Sequence, residues 1–317
     1  MSLLLDEPRE VFAPYRKALV ALGERNPRVV VLGADLAGST EVDGFRERFP
    51  ERFFNLGVAE QNAVGVAAGL AFEGFVPMFH SFGVFATRRP YEQVCVQVAM
   101  HGANVKLVGA LPGLSSRLGA THQAVDDLSL MRTLPGMTVV DPADASEMVQ
   151  VLGAAVDHDG PVYFRMLRRE VPVLFSDSYS FRLGRAVEIA RGTDVALIST
   201  GIMLRTALEA SGLLASESIS ASVLHVPTLK PLDTEAIAAQ AHATGAMVTV
   251  ENHLTTGGLG SGVAEVLAEH CPAHLERVGL RDAFASPGTP RYLLEKNAMT
   301  PRDVALAARR VLERSRR

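Results

Sequence analysis

Runs of Lys or Arg are missing from this 317-residue sequence. The short Arg314-Ser315-Arg316-Arg317 stretch is its nearest approach to one, and the net charge is −4. The electrostatic footprint of a nucleic-acid binder is therefore not visible. Cysteine is scarce: Cys95 and Cys271 both fall in apolar stretches that read as helix. That usage suits buried thiols in a reducing compartment better than a disulfide framework. No apolar run reaches the length of a membrane span. Leu3-Leu4-Leu5, followed at once by Asp6 and Glu7, is too short for a signal-peptide core. No His/Cys/Asp cluster has the spacing of metal ligands. Gly258-Leu259-Gly260-Ser261-Gly262 lacks the full dinucleotide-binding fingerprint and follows Glu251-Asn252-His253 in the wrong part of the chain. The expectation is a cytoplasmic chain that touches neither nucleic acid nor membrane.

What is present is a globular composition, 48% apolar and 21% charged, in a length that suits two domains. Short β-branched runs alternate with helical stretches, the pattern of βα units around a mainly parallel sheet. The first half reads as strands near Val29–Gly33, Phe53–Leu56, Val76–Phe79, Val105–Val108, Met137–Val140 and Val162–Met166. Helices lie between them around 13–23, 60–72, 91–101 and 146–156, with Pro14 in a first turn where its missing N–H costs nothing. Residues 171–185 lose the rhythm and read as a linker. A smaller alternation follows, with strands near 195–199, 220–225, 247–250 and 275–278. Its helices fall near 203–214, 233–242 and 260–270, and Thr300-Pro301 opens a closing helix. The expected fold class is α/β: two doubly wound domains in series, residues 1–175 and 186–317.

Three stretches carry possible chemistry. In the first, Phe53-Phe54-Asn55-Leu56 runs through a Gly57 turn to Glu60, which opens a helix rich in Gly and Ala. Glycine costs roughly 1 kcal/mol in a helix, so its presence points to close backbone approach. Glu60 by itself reads first as an acid complementing the helix dipole, and only second as a functional group. The second stretch, His80-Ser81-Phe82-Gly83-Val84-Phe85, sets two aromatics three apart, on one side of a helical turn. Such phenylalanines belong in a core or on a pocket rim. In the third, Gly119-Ala120-Thr121-His122-Gln123 places a histidine in a loop after an apolar strand. Ligands collect at that end of α/β sheets, though a loop histidine can also be merely exposed.

Taken in order, Gly-Val-Ala-Glu-Gln-Asn, Ser-Phe-Gly-Val-Phe and Thr-His-Gln resemble the pyrimidine-binding half of the transketolase family. The chain from Arg185 onward, with Val250-Glu251-Asn252-His253, is similar to that family's C-terminal domain. The resemblance implies thiamine diphosphate as cofactor and ketol transfer between a ketose and an aldose, with a sugar phosphate as substrate. It makes Glu60 the catalytic glutamate that shares a proton with the aminopyrimidine ring, and places Phe82 and Phe85 against that ring. By the same resemblance His122 meets sugar oxygens, Asp35 lies near the cofactor, and Ser39 and Arg168 meet the substrate phosphate. Arg165 and Arg169 are the alternatives to Arg168, and a further reading makes all three surface charges.

The Gly-Asp-Gly that marks the family's diphosphate and Mg2+ site is absent from the sequence. The resemblance therefore implies a separate N-terminal subunit carrying that site, in an assembly of two copies of each chain. Leu118, Ala110 and Arg88 depart from the family pattern at an acid, a histidine and a third aromatic, so the sugar is not named. Two further readings are a beta subunit of a 2-oxo acid dehydrogenase, which shares the fold, and a non-catalytic organising subunit.

Overall fold

The computed structural model describes residues 3–315. In the first half the strands are β1 (Leu4–Phe12), β2 (Val29–Gly33), β3 (Phe53–Asn55), β4 (Val76–Phe82), β5 (Lys106–Ala110), β6 (Thr138–Val140), β7 (Val162–Met166) and β8 (Glu170–Phe175). The second half adds β9 (Val187–Ala190), β10 (Val195–Ser199), β11 (Ala221–His225), β12 (Thr228–Lys230), β13 (Ala246–Leu254) and β14 (His274–Leu280). One sheet runs β12-β6-β7-β5-β4-β2-β3 and the other β14-β13-β10-β11-β9. Pairing is parallel except where β12 meets β6 and β9 meets β11. This is the expected α/β class, and the reason is visible in the strands. β2, β5, β7, β10 and β11 bury every residue, as strands with both faces covered must.

Three features were not expected. The stretch read as a linker holds all but the first residue of β8, which pairs antiparallel with β1 in a separate ribbon. β1 carries Asp6, Glu7, Pro8, Arg9 and Glu10, so its apolar signal is too weak to read as a strand. β8 is fixed from below: Asp144 accepts the Leu174 and Phe175 N–H groups at 2.7 and 2.8 Å while capping the Ala145–Asp157 helix. Second, β12 leaves its own half and extends the first sheet, so the two halves are stitched rather than merely consecutive. Third, β4 runs on past Phe79 to Phe82. Its histidine is tolerated inside because His80 bonds the Tyr15 hydroxyl (2.7 Å) and the Met78 carbonyl (3.1 Å), while the Ser81 hydroxyl is buried without a partner among the described residues. His80, Ser81 and Thr87 are wholly buried, so these neighbours of the two phenylalanines belong to the core and not to a rim.

The seam between the halves centres on Arg165, which is 1% exposed. All five of its N–H groups are used: two on Asp127, one on Asp141, and one each on the carbonyls of Ala124 and Asn252. Burial alone would raise the Asp127 carboxyl, but the charge and hydrogen bonds of Arg165 outweigh it and hold it low. Asp141 receives a single N–H and faces Asp127, and burial lifts it to about 6. The Asn252 side chain bonds the Leu114 N–H and the Pro112 carbonyl across the same seam. Glu251 holds the N–H groups of Leu259 and Gly260 at the start of the next helix. Both cysteines are free; Cys271 is buried just past its helix and Cys95 is half-buried. Among the described residues no helix is long and apolar enough to cross a membrane.

Candidate active site

The candidate residues all follow the carboxyl ends of strands in the first sheet. Asp35 and Ser39 come after β2, Glu60 after β3, Phe82 and Phe85 at the end of β4, His122 after β5 and Arg168 after β7. The chain reverses its direction across the sheet between β2 and β4. Loops diverge at such a switch point and leave a crevice.

Glu60 is the first residue of the Glu60–Phe72 helix and only 3% exposed. Gly57, at φ +73°, makes the turn that brings it there. Its carboxylate accepts a 2.7 Å bond from Arg89, at the edge of a cleft of about 490 Å³ lined by residues 58–62 and Arg89. The helix buries Ala63, Val64, Ala67 and Ala68. Its two glycines differ: a Cβ on Gly65 would meet the Gln97 side chain at 3.0 Å, whereas Gly69 has nothing within 4 Å and faces outward.

The Phe82 and Phe85 ring centroids lie 6.0 Å apart, tilted by 32°. His122 completes the group, 6.1 Å from Phe82 and 5.2 Å edge-on to Phe85. Its Nδ1 is taken up by the Thr121 hydroxyl at 2.9 Å, and Nε2 has no hydrogen-bond partner among the described residues. Gly119, at φ +82°, packs against Pro287 from the second half and starts the short turn carrying His122. Gln123 is a strut: its side-chain amide bonds the carbonyls of Ser116 and Ser286.

Asp35, Ser39 and Arg168 share a second cleft of about 470 Å³ with Arg16, Glu41, Asp43 and Arg169. Asp35 is locked to β3 by a reciprocal pair of bonds with Asn55, at 3.0 and 2.6 Å. Seven non-glycine residues have positive φ among the described residues, and four of them, Ala13, Asp35, Glu41 and Arg169, line this cleft. Strain of that kind gathers at functional sites. Arg168 Nε and Glu41 Oε2 are buried there without partners among the described residues, and burial raises the Glu41 carboxyl. Arg165 was an alternative to Arg168 for anion binding; with every donor consumed at the seam it has none to offer. Arg169 does line the cleft, and its backbone N–H bonds Glu41.

Sequence reasoning passed over two arginines here. Arg88, noted only as replacing an aromatic, does not stack. It grips Asp126 through Nε and Nη2 at about 2.9 Å and so ties down the far end of the His122 loop. Arg89 lies with its guanidinium 4.0 Å over the Phe85 ring while bonding Glu60. Pro90 is the one local signal, since it stiffens the backbone before it. Leu118 is 59% exposed, and Ala110 closes β5 as a buried residue. Among the described residues no three His, Cys, Asp or Glu side chains gather as a metal site.

Two family models match the chain. That of the transketolase pyrimidine-binding domain covers residues 9–173, and that of the transketolase C-terminal domain covers 184–304. The chain is 45% identical over 301 residues to the 6-deoxy-6-sulfo-D-fructose transketolase subunit SqwH of Clostridium sp. (strain MSTE9), spanning 95% of this chain and 94% of that one. It is 39% identical to the 1-deoxy-D-xylulose-5-phosphate synthase of Symbiobacterium thermophilum, where it spans 47% of the longer protein. A solved structure described as a split gene transketolase, inactive beta4 tetramer, superposes with a TM-score of 0.88 at 45% identity, covering 95% of this chain and 97% of that one. With both domain models matched in order and a 45% identical relative matched nearly end to end, the chain belongs to the transketolase family.

Proposed function

We propose that this chain is the pyrimidine-binding subunit of a split, thiamine-diphosphate-dependent transketolase. It moves a two-carbon ketol unit from a ketose to an aldose, and the diphosphate and Mg2+ are held by a separate N-terminal subunit. The observation that carries this is the Glu60–Arg89–Phe85 arrangement. A flat, N–H-bearing group already lies on Phe85 and bonds the Glu60 carboxylate, so the berth fits a flat aminopyrimidine with a ring nitrogen to offer. When bound, thiamine diphosphate supplies a nucleophilic carbon and an electron sink for breaking the bond beside a ketose carbonyl.

This chain's own residues do the rest. Glu60 holds a proton at the pyrimidine nitrogen and shifts the ring's tautomer. Phe82 and Phe85 fix the ring plane and exclude water from it. His122 presents Nε2 to a sugar oxygen. Arg168 and Ser39, with Asp35 beside them, receive the anionic end of the sugar, and the unpartnered Arg168 Nε suits a tetrahedral oxyanion. Phosphate and sulfonate both meet that description, and the SqwH relative is named for a sulfo sugar. The assembly would hold two copies of each chain, with the sites between unlike subunits, in the cytoplasm. The two domains of this chain would be residues 1–175 and 186–317.

The test is reconstitution with an N-terminal partner, Mg2+ and thiamine diphosphate, followed by assay on ketose phosphates and aldoses. Glu60→Gln should lower kcat/KM by about 10²–10⁴, the range of a lost general acid–base group. Turnover of pyruvate with an artificial electron acceptor, and none on ketoses, would instead mark a 2-oxo acid dehydrogenase subunit. Full activity in Glu60→Ala would mark an organising subunit.

A further inference from the structure

The aminopyrimidine berth already has an occupant that belongs to the chain itself. Arg89 sits with its guanidinium 4.0 Å from the Phe85 centroid and Nη1 at 2.7 Å from Glu60 Oε1. A guanidinium and an aminopyrimidine protonated on its ring nitrogen share the features this berth reads, a flat π surface and an in-plane N–H that meets a carboxylate. Both contacts that a pyrimidine would use are therefore satisfied internally.

The manner of its attachment matters as much as its position. The Arg89 backbone is held, because Gln61 donates its side-chain amide to the Arg89 carbonyl at 3.2 Å and Pro90 restricts the residue before it. The side chain is held by Glu60 and Phe85 alone among the described residues, and it is 44% exposed. It can swing into solvent by side-chain rotation, without moving the helix or the strand. Glu60, by contrast, is 3% exposed and has no other hydrogen-bond partner among the described residues, so losing Arg89 leaves a buried carboxylate seeking a donor.

From this geometry we propose that Arg89 is a latch: it fills the pyrimidine berth of the unloaded subunit, keeps Glu60 paired, and must be displaced for the cofactor's ring to enter. The inference rests on the function proposed above and adds a competing ligand to it. The latch lowers affinity for the cofactor by the strength of its two contacts. It also spares the unassembled chain an unpaired buried acid.

The test uses the full chain and thiamine itself, which lacks the diphosphate and so reports on this subunit's half of the site. Binding is followed by saturation-transfer NMR and calorimetry. Arg89→Ala should bind thiamine about tenfold more tightly than the unmodified chain, the combined worth of a half-exposed ion pair and one cation–π contact. Arg89→Lys, which keeps the charge and loses the flat fork, should fall between them. Adding Glu60→Gln to Arg89→Ala should abolish the gain. The reconstituted enzyme should show the same ordering in its thiamine diphosphate Kd. If Arg89→Ala leaves affinity unchanged or weakens it while Glu60→Gln alone weakens binding, Arg89 is no latch and the pyrimidine site stands. If neither substitution alters affinity for either probe, the latch and the site both fall.

Discussion

The seam between the two halves and the open edge formed by the carboxyl ends of the first sheet's strands use the same side chains to opposite ends. At the seam the charged groups are spent: Arg165 has no N–H left over, and both Glu147 oxygens are bonded, to Tyr179 and His225, although the neutral side of that imidazole, His225 Nδ1, is buried without a partner among the described residues. Lys230 likewise spends its ammonium on the carbonyls of Arg132 and Leu134. At the edge, among the described residues, Arg168 and Glu41 each keep a buried polar atom without a partner, His122 keeps a free ring nitrogen, and backbone strain collects. A fully satisfied polar network rigidifies, whereas a partly satisfied one has capacity held for something else. The difference separates charges that hold the molecule together from charges that wait for a ligand.

The sharpest way to break that division is at Arg165. Arg165→Met removes one cation and strands two carboxylates, Asp127 and Asp141, in the interior. The expected loss is about 3–5 kcal/mol, the usual cost of removing one partner of a buried pair. Urea unfolding of the isolated chain measures it. A loss within about 0.5 kcal/mol, typical of surface sites, would mean the seam carries little of the stability. The same substitution at Arg168, in the open cleft, should fall in that small range.

His80 sharpens the comparison from beneath the site, because it is buried like the seam yet sits on the strand that delivers Phe82. Burial pushes its pKa down from 6.5 to about 3, against a modest pull from the Met78 carbonyl. Between those values the unfolded chain takes up a proton that the folded imidazole refuses. Stability from this group is therefore complete above pH 6.5 and declines as pH falls toward 3, by about 1.4 kcal/mol per pH unit. His80→Gln can still bond Tyr15 and lacks this proton. Its stability should drop less steeply than that of the unmodified chain as pH is lowered through this window. Parallel pH profiles for the two would show that His80 is not the neutral, sequestered group described.

Regular burial made most of the sheet legible in the sequence, since β2 and β10 are short apolar runs of the kind that strands covered on both faces show. β1 and β12 were illegible for the converse reason. One is charged and contains Pro8, the other is three residues long, and each is defined by its partner rather than its composition. At the site, residue type and order were enough to pick out Glu60, Phe82, Phe85 and His122 by resemblance. Pairing was not readable. That Arg165 turns inward while Arg168, three residues on, turns to a cleft depends on which acids lie within reach across long sequence separations. The same holds for Arg88 and Arg89, adjacent in sequence yet bound to Asp126 and Glu60 on opposite sides.

Arg88 supplies the finest cut between the two kinds of charge, because it belongs to the edge by position and to the seam by behaviour. Its ion pair with Asp126 is satisfied on both sides but only half-buried, with 29% and 28% of the side chains exposed. Its role is to hold the loop that presents His122, and it touches neither phenylalanine in a stack. Arg88→Ala should therefore raise the KM for the sugar about fivefold, the equivalent of about 1 kcal/mol for a partly exposed pair, and leave thiamine diphosphate affinity alone. If Arg88 acts through His122, the two substitutions share one effect, and Arg88→Ala/His122→Ala should be no worse than His122→Ala by itself. Fully additive losses in that double variant would place Arg88 in direct contact with the sugar and move it to the ligand-facing side of the division.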